Sequence, residues 1–359
     1  MGISWELAKA LPKTDLHCHL DGSVRVETIL ELAKERNVKL PKNTVEELRD
    51  YLTVGNDCPS LVEYLKGFDV TLSVMQDYES LRRIAFELAE DAAEENVRYL
   101  EVRYCPTLNQ QKNMPLPQVV DAVLDGLHEA ERLYNIRTGV ILCGLRNINP
   151  ETSLRIAELA CAFKGRGVVG YDLAGAEHGF PAKDHREAFE LIRKNNINCT
   201  LHAGEAFGAE SIHQAIHYCG SQRIGHGTRL KEDGDLLNYV NDQRIPLEIC
   251  LTSNIQTKAA SSFEEHPFRF YYDYGLRVTL NTDNRLISGT TMTKELHLAS
   301  ELYDLTHEDI RSVLLDGFKS AFVNYHDRAV LIQKALEEID TLLDAEKNTS
   351  KKPKKASGE

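Results

Sequence analysis

The sequence predicts an α/β fold, a (β/α)8 TIM barrel with a helical insertion after its first strand, and three observations lead there. Short apolar runs rich in β-branched residues alternate with longer segments of helical period. Eight such runs can be counted, the number a closed barrel of parallel strands needs. Polar residues of catalytic type then fall at the carboxyl end of strand after strand, the face on which barrel enzymes build their sites.

The first strand is expected over 13–17. Leu16 and Cys18 alternate with His17 and His19, so both imidazoles share one face of a strand. Two residues along a strand span roughly 6 to 7 Å, which two His side chains can close onto a single ion. The connection that follows, about 22–96, is unusually long and carries its own helix signals: Thr44-Val45-Glu46-Glu47 and Ser60-Leu61-Val62-Glu63 both have capping-box form. In a barrel this insertion sits above the carboxyl ends of the strands and is a candidate lid. Leu61, Tyr64, Leu65 and Phe68 recur there at helical spacing, as an apolar gate or as ordinary core contacts.

The remaining strands are expected over 97–103, 137–142, 167–172, 198–202, 223–226, 245–250 and 277–282, with helical patterns between them such as 154–163, 186–194 and 212–218. Segments 306–325 and 331–346 read as helices that close a single domain, 1–345. The stretch 346–359 ends in Lys351-Lys352-Pro353-Lys354-Lys355 and has the composition of a solvated, disordered tail.

At 359 residues the chain is within the range of one barrel with insertions. A net charge of −13 argues against nucleic acid or an anionic membrane as partner, since either calls for a basic surface. Small-molecule chemistry is the expectation. The eight cysteines show no C-x-x-C spacing, and Cys105, Cys143, Cys199 and Cys250 sit in strand-like apolar runs as buried thiols. The N-terminus lacks a basic, then apolar, leader and no run approaches a membrane span. A reducing cytoplasm fits both readings. Asn198-Cys199-Thr200 has the form of a glycosylation acceptor but falls on an expected buried strand, and is read as chance.

The chemistry concentrates at strand ends. His17 and His19 end the first strand, Gly175 follows the fourth, and His202 and Glu205 end the fifth in His202-Ala203-Gly204-Glu205. His226 ends the sixth within Gly225-His226-Gly227, and Asp283 and Asn284 end the eighth. Three imidazoles and one carboxylate, from His17, His19, His202 and Asp283, suit one Zn²⁺ per chain with a position left for water. Such an ion lowers the pKa of bound water toward about 7 and supplies a nucleophile at neutral pH. Glu205, three residues past His202, is placed to exchange protons with a substrate, while His226 and Asp283 can orient the water. His128, His213, His217, His297, His307 and His326 lie on helix patterns and are read as ordinary residues.

With these motifs in view, the chain resembles the adenosine deaminase family, mononuclear zinc enzymes of the amidohydrolase-type barrel superfamily, from about Leu11 to about Phe322. The resemblance implies that His17, His19, His202 and Asp283 hold the zinc, that Glu205 donates a proton to purine N1, and that His226 holds the attacking hydroxide. It implies further that Asp21 binds the ribose 5′-hydroxyl, that the Gly175 backbone N–H meets purine N3, and that Asn284 contacts N7. One departure stands out: the better-known animal enzymes carry two successive aspartates, whereas Asp283 is followed here by Asn284. An Asn amide can donate directly to a neutral N7, whereas an ionised Asp needs an intervening proton.

The activity implied is hydrolysis of adenosine and 2′-deoxyadenosine to the inosines and ammonia, as in purine salvage. Other 6-aminopurine compounds, such as adenine, an N6-modified adenylate or an aminodeoxyfutalosine-like nucleoside, are the near alternatives, and a non-catalytic metal- and purine-binding barrel is the distant one. Asp21 discriminates, because a carboxylate suits a hydroxyl and repels a phosphate. The fourth strand offers Tyr171, Asp172, Leu173 and Ala174, with no Lys to bridge two metals, and no P-C-x-x-C of the other zinc deaminase design occurs.

Overall fold

The computed structural model describes residues 2–55, 58, 64 and 67–350. Eight parallel strands form one sheet in chain order: β1 Lys13–His19, β2 Val97–Tyr104, β3 Arg137–Leu145, β4 Val168–Ala174, β5 Asn198–Ala203, β6 Arg223–His226, β7 Leu247–Ile249 and β8 Val278–Leu280. Closure comes where β8 leaves regular pairing. Asp283 N–H donates to His17 O and His19 N–H to Asp283 O, both at 2.7 Å, so the last strand end is stitched to the first. β7 and β8 are shorter than the apolar runs that announced them, and past Leu280 the chain turns to bring Asp283 against Cys18.

Apolar residues fill the space between sheet and helices, as amphipathic patterning requires. The helix Pro150–Ala162 starts on an Asn149 cap bonded to Thr152 N–H and buries Ile156, Ala157, Leu159 and Ala160. The middle of the barrel is ionic instead. Arg103 donates to Asp172 Oδ2 (3.0 Å) and Glu248 Oε2 (2.9 Å), and Arg223 donates to Glu248 Oε1 (2.6 Å) and to Glu101. All five side chains are essentially sealed from water. Such charges are tolerable only when paired, and together they form an ionic floor under the strand ends.

The connection after β1 divides into two parts rather than forming one insertion over 22–96. Among the described residues, helices Val26–Arg36, Val45–Leu52 and Gly67–Val74 make up the insertion, and Thr44 caps the second of them by accepting from Glu47 N–H. The helix Tyr78–Glu94 is the barrel's own: its face of Leu81, Ile84, Ala85, Leu88, Ala89 and Ala92 is buried, and it packs on Leu116–Leu133. The second expected capping box, Ser60–Glu63, and the gate residues Leu61 and Leu65 lie outside the described residues.

After β8 come helices Met292–Leu302, His307–Ser320 and Tyr325–Ser350. The last continues through 346–350, into the stretch expected to be a disordered tail. Buried Ile339 and Leu343 hold it to the body, and Glu346 lies 3.1 Å from His307 Nε2. Residues 351–359 lie outside the described part. Among the described residues no helix is long and apolar enough to cross a membrane.

Candidate active site

Strand alternation sends His17 and His19 into the barrel mouth, with ring centroids 5.4 Å apart. β5 delivers His202 beside them. Past β8 the chain delivers Asp283 in the left-handed backbone region (φ 59°), a conformation that costs a non-glycine residue about 1 kcal/mol or more and recurs at functional sites. His19 Nε2 lies 3.2 Å from His202 Nε2 and 3.4 Å from Asp283 Oδ1, and His17 Nε2 lies 3.5 Å from Asp283 Oδ1. Ligand atoms around a tetrahedral zinc with bonds of about 2.0–2.1 Å sit roughly 3.3 Å apart. The observed spacings match that edge length. His17 Nε2 is buried and has no hydrogen-bond partner among the described residues, which marks it as an atom aimed at something else.

The opposite ring nitrogens are anchored. His17 Nδ1 is 2.8 Å from Glu248 Oε2 and His202 Nδ1 is 3.0 Å from Asp172 Oδ2, so each proton is drawn to Nδ1 and each Nε2 lone pair is turned to the centre. Burial would raise the pKa values of Asp172 and Glu248, but the facing histidines and Arg103, with Arg223 at Glu248, hold both well below the usual carboxylate range. Burial, with the Arg103 charge, pushes His17 down to about 4, and burial lowers His19 as well. Neutral imidazoles are the ligating form. Burial also opposes ionisation of Asp283, yet the imidazoles of His17, His19 and His226 around it keep it far below the ordinary range. Ser253 Oγ donates to Asp283 Oδ2 at 2.5 Å. Burial lowers His202 as well, but the Asp172 carboxylate behind it outweighs that and raises its pKa; with His17 and His19 held neutral, Asp283 ionised and the spacings matching, the donor set suits zinc.

A cavity of about 350 Å³ opens over this cluster, within the roughly 300–1,000 Å³ of small-molecule sites. His19, Asp21, Gly175, His202, Glu205, His226, Asp283 and Asn284 all line it, and His17 stands against one of them, its Nε2 3.5 Å from Asp283 Oδ1. The structure therefore gathers every residue singled out in the sequence. His226 stands among the expected metal ligands: one ligand atom from each of His17, His202, His226 and Asp283 falls within 4.8 Å of the others, a group that holds His226 where the sequence reading has His19. Its Nε2 also lies 3.5 Å from Glu205 Oε2.

Glu205 sits on a loop fixed by a residue that the sequence did not flag. Glu177 accepts from the backbone N–H groups of Gly204, Glu205, Ala206 and Phe207 at 2.6–3.0 Å. Gly175 holds φ 86°, a left-handed conformation suited to glycine. Burial raises Asp21 to about 7, and its Oδ1 has no partner among the described residues. Asn284 is less free than expected. Its amide nitrogen donates to Tyr64 Oη at 2.8 Å, Tyr64 Oη lies 2.7 Å from Ser288 Oγ, and Asn284 Oδ1 is buried without a partner among the described residues. That amide fits only because residue 22 is glycine, since a Cβ there would lie 1.8 Å from Asn284 Oδ1. Tyr64 and Phe68, expected in the gate, line the cavity with Leu72.

Sequence reasoning missed Tyr64 as a hydrogen-bonding group, as well as Asp172, Glu177 and Glu248. A buried carboxylate inside a strand run was the available signal for Asp172 and Glu248.

Comparison with known proteins gives one pattern. The sequence profile of the adenosine deaminase family matches residues 12–338. An adenosine deaminase of Clostridium botulinum (strain Okra / Type B1) is 42% identical over 324 residues, covering 90% of this chain and 96% of that one. A probable adenosine deaminase of Dictyostelium discoideum is 41% identical over 322 residues, 90% of this chain, which spans 42% of that longer protein. Among solved structures, the N6-methyl-AMP deaminase of Arabidopsis thaliana superposes with a TM-score of 0.81 at 28% identity, covering 94% of this chain and 98% of that one.

Proposed function

The chain belongs to the adenosine deaminase family, and on that premise we propose that it hydrolyses adenosine and 2′-deoxyadenosine to inosine and 2′-deoxyinosine with release of ammonia, in purine salvage. The observation that carries this reading is the meeting of three imidazoles, one carboxylate and Glu205 in a single cavity at the carboxyl end of the barrel.

His17, His19, His202 and Asp283 would hold one Zn²⁺. A zinc ion held there supplies a water of lowered pKa, nucleophilic at neutral pH. The protein's own groups do the rest. The Gly175 N–H and the Asn284 amide orient the purine through N3 and N7, and Asp21 accepts from the 5′-hydroxyl. Glu205 gives its proton to N1 as the attacking oxygen bonds to C6, which breaks the aromaticity of the ring. The C6–N bond then cleaves; of the two protons the attacking water gives up, one leaves with the amino group as ammonia and the other restores Glu205, and the 6-oxopurine keeps its proton on N1. His226 stabilises the charge that develops on the attacking oxygen, and being already in place it needs no reorganisation as the reaction proceeds.

Asp21 supports a nucleoside over a nucleotide, because its unpartnered oxygen can accept from a hydroxyl and its ionised form would repel a phosphate. The Clostridium relative's name supports adenosine as well. Cys105, Cys143, Cys199 and Cys250 are buried thiols, which suits a reducing compartment, and the cytoplasm is the proposed location. The test is a substrate panel of adenosine, 2′-deoxyadenosine, adenine, AMP and N6-methyl-AMP, read by ammonia release from the purified chain. The two nucleosides should be turned over with the highest kcat/KM. Preference for a nucleotide or for free adenine would overturn the substrate assignment.

A further inference from the structure

His226 lies near enough to the metal donors to join them, and what decides its part is which ring nitrogen carries the proton. A chain of hydrogen bonds fixes that choice. Phe268 opens the helix Phe268–Asp273, so its N–H has no acceptor within the helix. It donates to His266 Nδ1 at 3.1 Å. A backbone N–H can only donate, so Nδ1 of His266 accepts and the ring's proton sits on Nε2. His266 Nε2 lies 3.1 Å from a side-chain atom of Asn254, which must therefore be the carbonyl oxygen. The amide end of Asn254 is then turned to His226, with Nδ2 3.0 Å from Nδ1. Nδ1 of His226 accepts in turn, and its proton is left on Nε2, facing Glu205 Oε2.

Each link constrains the next, and the direction starts from a main-chain donor that cannot be reversed. The amide orientation of Asn254 and both imidazole tautomers follow from it without a free choice. All three side chains are buried, so water does not compete for these groups. Burial, with the charge of Lys231, pushes His266 down to about 3 and keeps it in the neutral form the chain requires. His226 is itself held in the left-handed backbone region (φ 62°), so its ring is placed by the main chain as well as by Asn254.

We propose that Asn254 and His266 are positioning residues that lock His226 in the Nε2–H tautomer, making it a hydrogen-bond donor into the cavity and withholding it from the metal. This rests on the deaminase reading above. By contrast His17 and His202 have their Nδ1 atoms against carboxylates, which draw the proton to Nδ1 and expose the Nε2 lone pair. The same barrel mouth thus holds two opposite histidine tautomers, set by whether an acceptor or a donor stands behind the ring.

The test is long-range ¹H–¹⁵N correlation NMR on the zinc-loaded full chain labelled with ¹⁵N-histidine, with His226 assigned by its loss in His226→Ala. Wild type should show His226 protonated at Nε2 and bare at Nδ1, whereas a proton on Nδ1 overturns the proposal. Asn254→Asp replaces the donor with an acceptor. It should move the proton to Nδ1 and lower kcat by about 10²-fold or more while KM stays within a few-fold. His266→Gln can still donate to Asn254 Oδ1; it should preserve the wild-type tautomer and lose only a few-fold in kcat. An Asn254→Asp protein that folds and keeps the Nε2–H tautomer overturns the lock. Adenosine turnover by wild type is read separately, so an inactive protein with the Nε2–H tautomer would remove the activity reading and leave the lock standing.

Discussion

The Glu177 carboxylate accepts the backbone N–H of Glu205 at 3.0 Å, and three neighbouring N–H groups converge on the same two oxygens. One buried acid thereby holds the loop that carries the proposed proton donor. In Glu177→Gln an amide NH₂ replaces one acceptor and faces N–H groups it cannot accept from. Stability should fall by about 1–3 kcal/mol, with kcat lowered more than KM is raised. Urea unfolding beside steady-state kinetics checks both, and an unchanged kcat would detach Glu177 from the loop's function.

Glu205 itself reaches the cavity with its side chain 11% exposed and touches the site through His226 rather than through the ligand cluster. Glu205→Gln should keep one zinc per chain and lose about 10²–10⁴-fold in kcat, the range for a positioned acid. Metal analysis and kinetics on the same sample test this. A variant with wild-type kcat would take Glu205 out of the proton transfer.

Asp172 stands behind His202 and is shared with Arg103. Asp172→Asn leaves the ligands intact and removes the charge that orients one of them. Zinc affinity should fall by about 10–100-fold, measured by competition with a chromophoric chelator. Unaltered affinity would mean that His202 does not depend on Asp172 for its orientation.

His266 links the site to acid stability. Its pKa is pushed down to about 3 in the fold by burial, whereas an unfolded histidine titrates near 6.5. Between those values the unfolded chain binds a proton that the folded one refuses, so this contribution is complete above about 6.5 and is lost as pH falls toward about 3. At pH 5 the loss is about 2 kcal/mol. Urea midpoints of wild type should drop from pH 7 to pH 5, and His266→Gln should show a smaller drop. Equal drops would refute the linkage.

Much of the barrel was legible because strand period and helix period are local properties. β1 shows it: Leu16 and Cys18 alternate with the two histidines, and the strand forms where the pattern ends. The residues proposed to hold the metal could be picked out for a similar reason, since ligand-type residues at successive strand ends meet whenever a barrel closes. The Glu248–Arg103–Asp172 floor was not, because nothing in three distant strands says that their inward positions touch. Helix Tyr78–Glu94 was assigned to the insertion because a long connection carries no mark of where the barrel resumes. Asn254 and His266 escaped notice because their importance lies in hydrogen-bond direction, a property of the folded arrangement alone.

The central claim is that one divalent ion, held by three histidines and one aspartate, is what this site is built around. Metal-free chain titrated with zinc and assayed for ammonia release from adenosine tests it most directly. Turnover should be absent at the start, rise linearly to one equivalent per chain and then level off. Full activity without metal, or a break at two equivalents, would contradict it.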